Sequence, residues 1–129
     1  AFMFEVMEAY GGVEKFYKDF FFTTVMPLGL LKNDKNYNYY DDLETQKALE
    51  PFIEETLLKQ MSFSEAKPNI ICVGQGKNLK YLKAFNDKHH CFESIEVVPH
   101  PRWVMQYRRK EKHKYIDTYL DALRKVAIL

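Results

Sequence analysis

The segment from Asn69 to Val98 constrains the fold more than any other part of the chain. NIICVG, residues 69–74, is a short apolar run between Lys67-Pro68 and the breaker Gly76. Such a run reads as a buried central strand. Lys77–Lys88 follows, with Leu79, Leu82 and Phe85 at three-residue intervals, and predicts a helix. Ser94–Val98, SIEVV, supplies the next strand. A strand-helix-strand unit of this length closes as a right-handed crossover, which makes its two strands parallel.

The flanking sequence extends the same pattern. Residues 2–10 carry Phe2, Val6 and Ala9, or Met3, Met7 and Tyr10, at helical spacing until Gly11-Gly12 breaks the run. Val13–Asp19 reads as another short helix. Phe20–Val25, FFFTTV, reads as a strand that ends at Pro27. Leu31–Asp42 is polar and reads as a surface loop, with Asp41 and Asp42 as a helix cap rather than a paired acid site. Leu43–Met61 predicts a helix with Leu49, Phe52, Ile53, Leu57 and Gln60 near one face, kinked or restarted at Pro51. The last helix, beginning near Gln106, carries Ile116, Tyr119, Leu120, Leu123, Val126 and Ala127 in one stripe. The expected fold class is α/β, a three-layer α/β/α arrangement around a parallel sheet. At 129 residues the chain suits a single domain.

Ligands of a parallel sheet bind at the carboxyl ends of its strands. Here those ends are TTVMPLG, VGQGKN and VVPHPRW. His100 stands out because Pro99 and Pro101 restrict the backbone on both sides. An imidazole held there can donate to a developing oxyanion or act as acid or base. The alternative is a histidine that only fills a turn.

Net charge alone predicts no polyanionic partner, since 19 Lys+Arg face 18 Asp+Glu. The distribution is uneven, however. Arg102, Arg108, Arg109, Lys110, Lys112 and Lys114 cluster just after His100, broken only by Glu111, with Trp103, Met105 and Tyr107 interleaved. Basic groups suit phosphates, and aromatic or thioether groups suit bases. The alternative is a solvated helix face. Gln75, Gly76 and Asn78 make a turn without phosphate-loop or dinucleotide spacing, so a plain tight turn is the default reading. His89-His90-Cys91 lacks the companions of a zinc site. Two cysteines, Cys72 and Cys91, make no disulfide framework, and an intracellular, reducing setting is expected.

Three segments, FFTTVMPLGLLKNDKNYNYYD, NIICVGQGKN and VVPHPRWVMQYRRK, resemble the uracil-DNA glycosylase superfamily. The nearest branch is the one related to single-strand-selective monofunctional uracil-DNA glycosylase. The resemblance spans most of the chain. It implies the glycosylase-like three-layer fold and hydrolysis of the N-glycosidic bond of a deaminated or damaged base, uracil or a related one. His100-Pro101 falls on the histidine-proline motif that supplies the catalytic histidine, and Arg102 through Arg109 fall on its minor-groove loop. The family motif continues with Ser-Pro, where this chain has Arg102-Trp103. Thr24 stands where a base-recognising asparagine is common, and Asn33 is a second candidate for base recognition.

By the same resemblance, Gln75, Lys77, Arg102, Trp103, Gln106, Tyr107, Arg108, Arg109 and Lys110 would contact DNA, single- or double-stranded. Neither metal nor other cofactor is implied, because hydrogen bonding stabilises the leaving anion. A monomer in the bacterial cytoplasm, off the membrane, is expected. The glycine- and proline-rich motif that positions the attacking water in this family has no match here. The expectation is therefore the C-terminal part of a larger domain. A non-catalytic nucleic-acid-binding module and an unrelated α/β domain are the other readings.

Overall fold

The computed structural model describes residues 1–20, 22, 30–32, 35–38, 40, 42–62 and 67–127. The chain divides into two units: Ala1–Phe21 with Asn69–Leu129, and Phe22–Pro68.

The first unit begins with α1 (Phe2–Tyr10) and α2 (Val13–Asp19). Phe2, Val6, Met7 and Tyr10 are the buried positions of α1, so the two candidate stripes merge into one face. The amides of Gly11 and Gly12 donate to the carbonyls of Glu8 and Met7 and close the helix. Both glycines have positive φ, which explains the pair at this corner. Tyr10 then donates to Asp19 Oδ2 at 2.6 Å and ties α1 to α2. Burial, and next the bond to Asp19, push the Tyr10 hydroxyl pKa up to about 12.

The two strands of the crossover unit pair in parallel, as expected. Strand β3 (Asn69–Val73) pairs in parallel with β4 (Ser94–Val98), in register from Asn69 opposite Ser94 to Val73 opposite Val98. Ser94 Oγ donates to Asn69 Oδ1 at 2.6 Å and fixes the amino-terminal end of the pair. Helix α4 (Lys77–His89) connects them and buries Tyr81, Leu82 and Phe85, with Phe85 against Phe92. Its C-cap, His90, adopts the left-handed conformation with φ 52°, and Asn86 Oδ1 accepts from the Phe92 amide at 2.8 Å.

The end of the chain departs from expectation. A continuous helix from near Gln106 is replaced by α5 (Pro101–Tyr107), one 3₁₀ turn (Arg109–Glu111) and α6 (Lys112–Ala127). The stretch from Arg102 to Arg109 is thus mostly helical rather than a loop. The start of α5 has a local cause. Pro101 occupies the first helical turn, where a missing amide costs nothing, and His100 caps it. Arg108, at φ −135° and ψ 27°, breaks the path between the helices.

Helix α6 sends Ile116, Tyr119, Leu120 and Leu123 into a core shared with Phe2, Val6, Met7, Tyr10, Phe16, Val98 and Val104. Lys112 Nζ bonds Glu5 Oε1 at 2.9 Å across this layer. That bond holds the half-buried Glu5 carboxyl below its usual range.

In the second unit, the expected polar loop contains a short antiparallel pair, β1 (Leu30–Lys32) with β2 (Lys35–Tyr37). Backbone pairing makes this ladder, so side-chain periodicity gave no sign of it. Helix α3 (Leu43–Met61) runs unbroken through Pro51, burying Ile53 and Leu57. Pro51 and Lys47, one turn back, are both exposed, so the amide hydrogen bond that Pro51 cannot make is lost on a solvent-facing side of the helix. Asp42 caps α3 by accepting from the Glu44 amide at 3.0 Å. The strand expected over Phe20–Val25 lies mostly outside the described residues; Phe20 itself is the extended residue capping α2.

Candidate functional site

Parallel pairing brings the carboxyl ends of β3 and β4 side by side. The Gly74 amide donates to the Val98 carbonyl at 2.7 Å. Gly74 has φ 102° and packs on the next turn: a Cβ at this position would lie 3.6 Å from both Cβ and Cδ2 of His100. The GQGK turn and the His-Pro turn are therefore one neighbourhood. Gln75 and Lys77 are exposed along the first of them.

His100 is exposed at this edge, yet its orientation is fixed. Its Nδ1 accepts from the Arg102 amide at 3.1 Å, and its carbonyl accepts from Val104 at 3.1 Å. With Nδ1 as acceptor, the neutral ring carries its proton on Nε2. The ring thus caps a helix with one nitrogen and offers a donor with the other. On its other side, the Pro99 carbonyl accepts a short hydrogen bond from the Tyr119 hydroxyl. Tyr119 is 3% exposed, and burial pushes its pKa up, which keeps it a donor.

Fully buried Val104 anchors α5, so the other faces of this helix point to solvent. Arg102 and Gln106, one turn apart, are both exposed, as are Trp103 and Tyr107. Trp103 is 39% exposed and Tyr107 59%. The Trp103 ring meets Tyr115 edge-on at 5.6 Å, and the Arg108 guanidinium lies 5.3 Å from its centroid. Arg108 also donates to the Tyr107 carbonyl at 3.0 Å.

The basic run is less uniform than its sequence. Lys112 pairs with Glu5, and Lys114 lies 3.7 Å from Glu111. Arg102, Arg109 and Lys110 remain exposed and meet no carboxylate among the described residues.

The arrangement gathers His100, Gln75, Lys77 and the α5 residues into one unit. Thr24 and Asn33 lie outside the described residues. Among the described residues, no three His, Cys, Asp or Glu side chains are grouped as metal ligands, and His89 instead packs against Phe85 at 4.6 Å. Sequence reasoning missed Gly74 and Tyr119. A glycine directly after a strand was a usable signal for the first. Nothing in the sequence ties Tyr119 to Pro99, twenty residues earlier.

A family model described as the uracil DNA glycosylase superfamily matches residues 1–124. The chain belongs to the uracil-DNA glycosylase superfamily. Its structure is similar to the crystal structure of wild-type Pedobacter heparinus SMUG2, with 37% sequence identity and a TM-score of 0.90. The match covers 99% of this chain and 57% of that one. This likeness places the chain in the branch of the superfamily related to single-strand-selective monofunctional uracil-DNA glycosylase, with the α/β glycosylase fold. No curated protein matches it. No described helix is long and apolar enough to cross a membrane.

Proposed function

We propose that the native protein is a DNA glycosylase that flips a damaged or deaminated base, uracil or a related one, and hydrolyses its N-glycosidic bond. The observation that carries this reading is the Arg102 amide bonded to Nδ1 of the exposed His100, which leaves Nε2–H as the ring's remaining donor. In the reaction, water oxygen bonds to the sugar C1′, the C–N electron pair leaves with the base, and the proton that the water gives up ends on the departing base anion. Negative charge then develops on the base carbonyl oxygens, and a preorganised donor at that point lowers the barrier. His100 is that donor.

Arg102, Arg109 and Lys110 contact phosphates, with Gln75 and Lys77 meeting the strand from the neighbouring turn. Exposed Tyr107 and Trp103 fill the gap left by the flipped base. Thr24 and Asn33 keep their proposed part in base recognition. The protein acts as a cytoplasmic monomer.

The test is base release by the native protein from single- and double-stranded oligonucleotides carrying uracil, hypoxanthine or an alkylated base. At least one should yield an abasic site. Binding without release from any of them would instead favour the non-catalytic module.

Phosphate contact is checked separately. Arg109→Ala should reduce the salt slope of DNA binding by up to roughly one phosphate contact. Arg109 is the informative choice because Arg108 is engaged with Trp103 and Tyr107. An unchanged slope would leave Arg109 facing solvent.

A further inference from the structure

We infer that Tyr119 is a positioning residue that aims His100 through the carbonyl of Pro99; the inference rests on the glycosylase reading above. Pro99 has no amide hydrogen, so its carbonyl is the one polar backbone group through which it can be held. The Tyr119 hydroxyl donates to that carbonyl from α6. The carbonyl belongs to the peptide plane that leads into His100. Fixing that plane places the N and Cα of His100, and the helix-start bonds to Arg102 and Val104 hold the remaining rotation that sets the Cα–Cβ direction.

Tyr119 is itself immobilised. Its ring meets Phe2 edge-on, with centroids 5.0 Å apart and planes at 73°, inside the main core. From the other side, the cap bonds to Arg102 and Val104 hold the first turn of α5. His100 is therefore exposed but gripped on both sides, and α6 supplies one of the grips. Misplacing a reacting group by a fraction of its contact distance has large kinetic consequences.

Tyr119→Phe keeps the ring and its contact with Phe2 while removing the hydroxyl. In the native protein, kcat for base release should fall by roughly ten- to a hundredfold with KM nearly unchanged. In a His100→Asn background the same change should have no further effect on the residual rate, because the hydroxyl acts through the imidazole. Nitrogen NMR of the imidazole gives an activity-independent readout: the His100 Nδ1 and Nε2 signals should shift in Tyr119→Phe. Lower stability with unchanged kcat and unchanged imidazole signals would overturn the inference. If the native protein releases no base, the glycosylase reading falls separately, and the spectra still decide whether Tyr119 orients His100.

Discussion

His100→Asn should lose base release while remaining as stable as the parent protein, whereas His100→Ala should lose both activity and stability. The two outcomes separate because, on the proposed reading, the imidazole has two tasks. Its Nδ1 caps α5 by accepting from the Arg102 amide. Asparagine is among the best helix caps and alanine among the poorest, so the alanine variant should be destabilised by about 1 kcal/mol. Neither replacement can present a donor where Nε2–H stands. Removing one oxyanion donor costs roughly 10²- to 10³-fold in rate, and both variants should show that loss. Denaturant unfolding and single-turnover base release measure the two effects. An asparagine variant with parental rate would remove His100 from the chemistry. An alanine variant with parental stability would show that the cap bond contributes nothing net.

Gly74 should tolerate alanine poorly and valine worse, for two distinguishable reasons. At φ 102° any side chain strains the backbone, which costs on the order of 1–3 kcal/mol. An alanine methyl would still fit, at 3.6 Å from the His100 ring and Cβ. Valine adds methyl groups beyond that contact and must push the imidazole aside. Gly74→Ala should therefore lower stability with a modest effect on rate, and Gly74→Val should lower both. Equal rates for the two variants, measured by single turnover at saturating DNA, would reduce Gly74 to a turn residue without influence on His100.

The crossover was readable because its signals are local. Breakers bound NIICV, and a three-residue repeat marks the helix that follows. Even there the detail shifted: Tyr81 joins Leu82 and Phe85 in the buried face, while Leu79 is only half-buried. The break between α5 and α6 was hidden by composition, since QYRRKEKHK is equally compatible with one solvated helix. The cue lay earlier, in a cap-capable His100 followed by Pro101, which marks a helix start at that point. Pro51 did not restart the helix, and it lies on an exposed face with Lys47 one turn back. Long-range ties leave no sequence trace. Glu5 and Lys112 are 107 residues apart, and Tyr119 and Pro99 meet only once α6 packs on the core. The position of His100 was thus legible, while the devices that hold it were not.

The Ser94–Asn69 hydrogen bond places the registration of the two strands at one extremity of the pair. Four residue steps, about 13 Å of strand, run from that stitch to Val73 and Val98, just before the edge carrying Gly74 and His100. On the proposed reading, alignment and DNA contact fall to different residues. On that reading, exchanging the exposed Gln75, Lys77 or Arg102 alters DNA contact without loosening how the strands line up. A library confined to those three positions should yield mostly folded proteins, which makes this edge a practical place to redirect specificity.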